Sequence, residues 1–411
     1  MIGTITISKP YVETKKNSAR LCAVVNYDGK NEIIWYEVDK RFSKYLCYER
    51  ADAFLLALLP YAMAFDKNIE IDAPVSEKLY YQLVNYYMPA LKKFSNYYDC
   101  IDINPKSLDS TNYVIENGVG TGFSGGVDSF YTVLKNINIK EKSYRLTHLT
   151  FFNVGANGSF GGEKANDTFN RRTEVFKEYS KQKKLKFLTV NSNVSEHAKM
   201  SYNYIHTFRS ISAVLALQKI FSKYYYSSTA TINDFGFNVV DSANYDFFSL
   251  KNFEVEGMNL YSVGNDCERI DKQKFICKFE DTYNLLNVCN KKSCNCSRCE
   301  KCIRTMAGFF CIGELDNYKN VFDTNYFYNN FSSCMALLIG KKFDGTAEGN
   351  IDAQLIKNIK QSGYHISASA YIKAIPIIIK SLVYKYSRKI KPIRRWYHKK
   401  MNKELGCNYK D

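Results

Sequence analysis

The chain has 411 residues, of which 45% are apolar and 24% charged, and its net charge is 57 − 41 = +16. This length indicates two or three domains with sizeable cores, and the few prolines argue against long disordered regions. The longest apolar run, residues 53–65, contains Pro60 and is shorter than the roughly 20 residues that cross a bilayer. Because the N-terminus also lacks a signal-peptide pattern, we expect a cytoplasmic protein without a transmembrane segment.

Residues 1–117 predict an N-terminal α/β domain. The expected elements are strands at 21–25, 33–38 and 69–71 and helices at 50–64 and 76–92. The polar run 104–112 is the expected linker to the next domain. Since no pattern in this part carries catalytic chemistry, we expect it to pack beside the functional domain.

The segment that follows, Gly120 to Ser129, predicts a strand, a phosphate loop and the start of a helix. Gly125 and Gly126 lack a Cβ, so several backbone amides can turn inward toward an anion at the helix N-terminus. Ser124 and Ser129 add hydroxyl donors. Asp128 is an unexpected residue beside a bare anion, but it suits a divalent cation that bridges it to phosphates.

Taken alone, the serine and glycines of this loop would also make an ordinary helix cap. The whole string from Ser124 to Ser129, however, resembles the SGGxDS motif of the PP-loop ATP pyrophosphatases, in which a strand precedes the loop and a helix follows it. The resemblance implies ATP with Mg²⁺ on the loop. A substrate oxygen would attack the α-phosphate and give an adenylated intermediate and free pyrophosphate.

Strand and helix patterns alternate after the loop. Strands are expected at 148–154, 186–190 and 224–228, and helices at 166–184 and 204–221. This alternation predicts a Rossmann-like parallel sheet with right-handed crossovers. Ligands bind such sheets at the carboxyl ends of the strands.

Several residues lie where that rule predicts a site. Asn153, Gly155 and Gly158 follow the second strand, where the adenine would lie in a PP-loop protein, although an ordinary βα turn would use the same residues. His206 and Arg209 lie three residues apart on one helical face. They would suit phosphate, and a solvated or capping role is equally compatible with their spacing.

A basic segment near residue 270 predicts groups that stabilise the transition state. Arg269 and Lys272 precede an apolar pair at an expected helix start, where fixed positive charge would suit the α-phosphate. PP-loop enzymes resemble this chain in carrying a lysine near this point. Lys274 is the competing candidate, and a solvated helix face is the alternative.

Five of the 13 cysteines fall between Cys289 and Cys302. Cys296, Cys299 and Cys302 are spaced as successive C-x-x-C pairs, and either Cys289 or Cys294 would complete a set of four. Such clustering in a chain without a secretion signal favours a metal over disulfides. Structural Zn²⁺ is the favoured metal, and an iron–sulfur cluster is the alternative.

A phosphate loop followed some 170 residues later by C-x-x-C-x-x-C and Arg304 resembles the 7-cyano-7-deazaguanine synthase family. The likeness covers residues 118–312 and implies a PP-loop domain with a zinc-binding cluster. It leaves residues 313–411 as a helical extension. The large N-terminal domain, this extension and the spacing of the first cluster cysteine depart from the family.

The last residues form a basic tail. From Lys373 to Asp411 there are 12 basic and 2 acidic residues, or +10, which leaves 45 − 39 = +6 for the rest. An apolar stripe at helical spacing runs along it, made of Ile375, Ile379, Leu382, Val383, Tyr386, Ile390 and Ile393. Basic residues lie off that stripe, among them Lys380, Arg388, Lys391 and Arg395. The tail would bind RNA or an anionic surface, or pack on the body with its basic face in water.

Together with these features, the two resemblances imply ATP-dependent adenylation of a small carboxylate or amide, followed by attack of ammonia or another nucleophile. Two alternatives remain at this point. One is a tRNA-modifying sulfur transferase of the same superfamily, which the tail and the thiols of Cys267 and Cys277 would suit. The other is a zinc-stabilised nucleic-acid-binding or ATP-sensing regulatory protein.

Overall fold

A computed structural model describes residues 3–396 except 28, 96, 198–199, 238–240, 290–291, 293, 388–389, 391 and 394–395. The strands are β1 (Gly3–Ile7), β2 (Tyr11–Thr14), β3 (Ser18–Tyr27), β4 (Lys30–Asp39), β5 (Lys67–Ser76), β6 (Ile103–Asp109), β7 (Gly118–Gly122), β8 (His148–Asn153), β9 (Lys186–Ser192), β10 (Phe221–Ser227) and β11 (Asn259–Val263).

Helices surround the sheet formed by these strands. They are α1 (Asp52–Phe65), α2 (Glu77–Gln82), α3 (Met88–Phe94), α4 (Val127–Asn136), α5 (Glu163–Gln182), α6 (Val194–His197), α7 (Tyr202–Ala216), α8 (Asp246–Asn252), α9 (Arg269–Ile276), α10 (Asp281–Leu285), α11 (Glu300–Cys311), α12 (Thr324–Asn329), α13 (Phe331–Lys341), α14 (Ala347–Gln361) and α15 (Ala368–Ser387). No helix within the described residues is both long and apolar enough to cross a bilayer.

One mixed, mostly parallel sheet of 11 strands forms the centre of the molecule, which confirms the α/β class. Its order is β11-β10-β7-β8-β9-β4-β3-β1-β5-β6, and β2 pairs with β3 outside that path. The five strands β11, β10, β7, β8 and β9 are parallel to one another. Strand β8 is buried on both faces: Phe151 packs into one hydrophobic core and Phe152 into the other. Such burial explains its continuous apolar sequence.

The chain order within the parallel part creates a crevice. Strands β8 and β9 lie on one side of β7, whereas β10 and β11 lie on the other. The connections after β7 and β10 therefore leave the sheet in opposite directions at their carboxyl ends. The loop at 123–126 follows β7 at this point, which is where α/β sheets bind ligands.

The N-terminal part confirms most of its predicted elements, but the predicted linker is wrong. Residues 103–109 form β6, which pairs with β5 at the edge of the sheet. Most of its side chains are exposed, so its polar composition resembles that of a loop. Pro105 has no backbone N–H, and an edge strand tolerates that loss.

The sheet continues across the predicted boundary near residue 117. Strand β4 pairs antiparallel with β9 through Tyr36 opposite Ser192 and Glu37 opposite Asn191. The N-terminal strands and the parallel part therefore belong to one hydrogen-bonded sheet. The division into residues 1–117, 118–312 and 313–411 stays a prediction.

The tail forms a helix over 368–387, but its apolar stripe is not the face that packs on the body. Ala370, Ala374 and Ser381 are buried, whereas Ile375 and Ile379 are exposed. The small residues allow α15 to lie close to α13, and this close packing determines which face turns inward. The predicted tail residues Arg388, Lys391 and Arg395 lie outside the described residues.

A buried arginine joins the two parts of the sheet. Arg50 precedes α1, and its guanidinium lies 3.1 Å from Asp52 and 2.6 Å from Glu256, which follows α8. The same side chain donates hydrogen bonds to Gln218 and to the backbone carbonyl of Asp109. The guanidinium thus balances the buried carboxylate of Asp52 and the partly buried carboxylate of Glu256.

We expect Arg50→Met to lower the free energy of unfolding by about 3–5 kcal/mol, because it leaves Asp52 and Glu256 unpaired. Urea denaturation followed by circular dichroism measures this. Arg41→Met is the matched control, since Arg41 is exposed and pairs loosely with Asp39 at 3.6 Å. Equal stability of the two variants would contradict a structural role for the buried pair.

Candidate functional site

The loop after β7 has the backbone of an anion cradle. Gly125 has φ +72°, and a Cβ there would lie 2.9 Å from Phe176. Gly126 is the N-cap of α4 and no side chain caps this helix. Among the residues that the structure describes, none accepts a hydrogen bond from the backbone N–H groups of residues 124–129. The loop therefore presents a row of free donors at a helix N-terminus.

The hydroxyls of the loop do not satisfy these donors. Ser129 donates to the carbonyl of Gly126 at 2.9 Å, and its oxygen lies 3.4 Å from that of Ser124. Neither serine accepts a backbone N–H of the helix start. The interpretation of this motif as a simple helix cap has no hydrogen bond to support it.

The three predicted catalytic side chains meet beside the loop. Asp128 lies in the first turn of α4 and forms an ion pair with Arg269 and another with Lys272, whose Nζ is 3.1 Å away. Burial alone would raise the pKa of Asp128, but the charges of Arg269 and Lys272 outweigh it and hold that pKa below its usual value. The carboxylate is thus ionised and the local charge is +1.

A second contact, in addition to the one with Asp128, also holds the ammonium group of Lys272 in place. Its Nζ donates to the carbonyl of Ser228 at 2.6 Å, and the side chain is buried. Behind it lies Asp246, which accepts a hydrogen bond from the hydroxyl of Ser228 at 3.0 Å. Burial raises the pKa of Asp246 to about 7. Lys274, by contrast, is exposed and pairs with Asp271 at 3.7 Å, so Lys272 is the lysine that reaches the loop.

A cavity of about 440 Å³ opens over the loop. Its walls come from the carboxyl ends of β7, β8 and β10 and from the segments that follow them. Cavities of this size accommodate small molecules and cofactors. The crevice that the strand order predicts therefore contains a site of suitable volume.

Only two of the three residues predicted after β8 line the cavity. Asn153 faces away from the cavity and donates to the side chains of Asn166 and Asn191 at 2.7 and 2.8 Å. Gly155 and Gly158 line the cavity. Gly155 has φ +123°, and a Cβ there would lie 2.5 Å from Tyr202. Glycine is required at that position by both strain and space.

Of the two residues predicted on α7, one lines the cavity and the other is buried behind its wall. His206 lines the cavity, and its imidazole lies 2.7 Å from the hydroxyl of Tyr226 and 3.3 Å from Asp241. Arg209 is fully buried and donates to the backbone carbonyls of Ser159 and Met200. Arg209 therefore holds the cavity wall in place and His206 faces the cavity.

Sequence patterns missed Glu348, which the C-terminal extension contributes to a charged wall of the cavity. Glu348, near the start of α14, lies 3.3 Å from Lys301 and 3.3 Å from Arg304, and all three line the cavity. Burial would raise the pKa of Glu348, but Lys301 and Arg304 lower it to about 2. Lys301 lies within the cysteine cluster, between Cys299 and Cys302, and Arg304 follows it by two residues, which was a usable signal. Glu348 has no local signal because tertiary packing brings α14 to the cavity.

Four cysteines converge behind one wall of the cavity. The sulfurs of Cys289, Cys296, Cys299 and Cys302 all lie within 4.8 Å of one another and could hold a metal such as zinc. Three of their separations are 3.9, 4.0 and 3.5 Å. A tetrahedron with Zn–S bonds of about 2.3 Å has edges of about 3.8 Å. Cys289 is therefore the fourth member of the set, and Cys294 is exposed outside it.

The cluster is connected to the phosphate loop. The segment that leads into Cys289 runs beside the loop, where the N–H of Asn287 donates to the carbonyl of Gly125 at 2.8 Å. Arg172 of α5 donates to the backbone carbonyl of Cys289. A metal at the four sulfurs would thus fix the backbone that supports the strained turn.

We expect purified protein to contain about one zinc ion per chain, and Cys299→Ser to lose most of it. Elemental analysis with a sulfide assay measures the metal and separates zinc from an iron–sulfur cluster. Cys294→Ser is the matched control and should keep its zinc. Loss of zinc from Cys294→Ser, or iron with labile sulfide in the wild-type protein, would contradict the assignment.

Comparisons with protein-family models, with curated proteins and with solved structures return no match for this chain. Any function must therefore be inferred from the geometry of the loop, the cavity and the cysteine cluster.

Proposed function

We propose that this chain is an ATP-dependent adenylating enzyme with a Rossmann-like PP-loop domain. The row of unpaired N–H groups at residues 124–129 carries this proposal, because it lies beside Arg269 and Lys272 at the mouth of a cavity. Free donors and two cations around one small volume suit a polyphosphate. ATP supplies that polyphosphate.

The strand order supports a nucleotide site. Counted from the strand that precedes the loop, the parallel part reads β9-β8-β7-β10-β11, which is 3-2-1-4-5. Doubly wound sheets with this order bind nucleotides in the crevice beside the first strand. In this proposal the loop amides hold the β- and γ-phosphates, and adenine lies toward Gly155.

The charge arrangement supports attack at the α-phosphate. Arg269 and Lys272 provide fixed positive charge where negative charge develops, and their buried anchors reduce the cost of reorganisation. Asp128 is held ionised, as a ligand of Mg²⁺ must be, and Mg²⁺ would neutralise the departing pyrophosphate. The acceptor carboxylate forms a bond to the α-phosphorus, and the bond from that phosphorus to the bridging oxygen breaks.

The rest of the cavity suits a small acceptor. His206, Tyr202 and Tyr226 line its far side and offer hydrogen-bonding groups within apolar walls. Ammonia or another nucleophile would then attack the acyl carbon, and AMP would leave with the acceptor oxygen. The wall from Asn287 to Cys289, with zinc behind it, shapes the site and takes no part in the bond changes.

The thiols considered for sulfur transfer are poorly placed for it. Burial raises the pKa of Cys277 to about 11, and Cys277 packs against Tyr318. Burial also raises the pKa of Cys267. A thiol that stays protonated at neutral pH is a weak nucleophile, so these residues favour the small-acceptor proposal.

We expect Asp128→Ala to lower magnesium-dependent ATP turnover by about a hundredfold or more while the fold is kept. The reason is that it removes the one loop carboxylate available to Mg²⁺ and leaves Arg269 and Lys272 without their partner. Pyrophosphate release and calorimetric ATP titration, with and without Mg²⁺, measure the effect. Asp266→Ala, at an exposed neighbouring carboxylate, is the control. Unchanged ATP affinity in Asp128→Ala would remove this loop as the nucleotide site.

We expect an acceptor carboxylate labelled with heavy oxygen to transfer one labelled atom to AMP. The attacking oxygen becomes bonded to the α-phosphorus and stays there when the acyl carbon is attacked. Mass spectrometry of AMP formed with a panel of small acids detects the transfer. If AMP stays unlabelled with every acid while tRNA stimulates pyrophosphate release, the sulfur-transferase function replaces this one. ATP binding without pyrophosphate release under any condition would indicate a regulatory protein.

A further inference from the structure

The outward face of α15 carries an apolar stripe that differs from the set predicted from sequence, and the word stripe hereafter means Ile372, Ile375, Ile379 and Val383. Ile372, Ile375, Ile379 and Val383 are 67%, 53%, 58% and 63% exposed. Their spacings of three, four and four residues place them above one another on one side of the helix. Isolated exposed apolar residues are ordinary, but a contiguous row on one helix face marks an interaction surface.

This stripe cannot be buried by rotation of the helix. The opposite face of α15 carries Ala370, Ala374 and Ser381, which are buried against the body. Contact with α13 is so close that a Cβ at Gly340 would lie 2.4 Å from Ile377. The small residues therefore fix the orientation of α15 and turn the stripe toward solvent.

Basic residues accompany the stripe, and the stretch of sequence that contains it has no acidic residue. Lys373 and Lys380 lie along one flank of the stripe by their position in the helical repeat. The sequence contains no aspartate or glutamate between Asp352 and Glu404. Beyond the end of α15, Ile390 and Trp396 are also exposed. The surface is therefore apolar at its centre and cationic along one flank.

The character of the stripe favours a bilayer over RNA. Isoleucine and valine have no planar face on which a base could stack, and RNA contacts depend on aromatic or polar groups. Aliphatic chains flanked by lysine suit the boundary between acyl chains and anionic headgroups, where the lysine ammonium groups stay in the polar layer.

We propose that α15 binds peripherally to an anionic lipid bilayer, lying in the plane of the surface with Ile372, Ile375, Ile379 and Val383 in the acyl boundary. Lys373 and Lys380 contact the headgroups. The helix binds as it is folded, because its inner face stays on α13. This inference does not depend on the proposed adenylation.

Flotation of the full chain with vesicles tests the inference. The vesicles contain phosphatidylcholine alone or with about one-third phosphatidylserine, a composition that gives a strong surface potential. We expect the wild-type protein to float with the anionic vesicles. Ile375→Asp combined with Ile379→Asp should lower the bound fraction about tenfold or more, since it puts charge into the apolar boundary. Ile115→Asp, at an equally exposed isoleucine outside the tail, should bind as the wild type does.

A second pair of substitutions tests the role of the two lysines. Lys373→Glu combined with Lys380→Glu should weaken binding to the anionic vesicles and leave the circular dichroism spectrum unchanged. Wild-type protein that fails to float with anionic vesicles would overturn the inference. If sedimentation then shows a dimer that the aspartate variants lose, the stripe is an interface between copies. If RNA binding is lost in the lysine variants but kept in the aspartate variants, the surface is an RNA site.

Discussion

The turn at Gly125 is the constraint on which the site depends. It leaves the backbone N–H groups of residues 124–129 without acceptors at the start of α4. Unpaired donors cost free energy unless water or a ligand satisfies them, so this segment is stable only beside a polar cavity. The strand order keeps the cavity open at this point, and the hydrogen bond from Asn287 holds the turn from the other side. A metal held by the four cysteines would then fix Asn287 through Cys289, two residues away.

Charge balance explains why a carboxylate lies in an anion site. Arg269 and Lys272 are nearly buried, and two unpaired cations there would be expensive. Asp128 compensates one of them and leaves a single positive charge. On the opposite wall, Glu348 has the same relation to Lys301 and Arg304, with Asp352 pairing Arg304 from behind at 2.6 Å. The wall of Glu348 is therefore neutral, because Asp352 balances the second cation. The single positive charge beside the loop is the one that attracts an anion.

The parts of the site that could be predicted from sequence are those whose geometry is set within one short segment. The strand, loop and helix around Ser124 and the four cysteines lie in short segments whose spacing determines their geometry. Asn153 does not line the cavity because its amide is held by the side chains of Asn166 and Asn191, which lie far along the sequence. Glu348 could not be predicted from sequence, because only the packing of α14 on α11 brings it to the cavity wall. The edge strand β6 resembled a linker, since an exposed polar strand has the composition of a loop.

The C-terminal extension connects the two surfaces for which we propose functions. Helix α14 carries Glu348 into the cavity, whereas α15 presents its stripe to solvent, and α13 packs against both. A bilayer bound to the stripe would contact side chains that are already outward, so no contact between α13 and α15 has to break. A ligand shifts an equilibrium only by its different affinity for two states, so such binding would localise the protein and leave the shape of the cavity unchanged. The close contact between Gly340 of α13 and Ile377 of α15 holds the two helices together. A larger residue at position 340 would separate them and allow the stripe to move relative to the cavity.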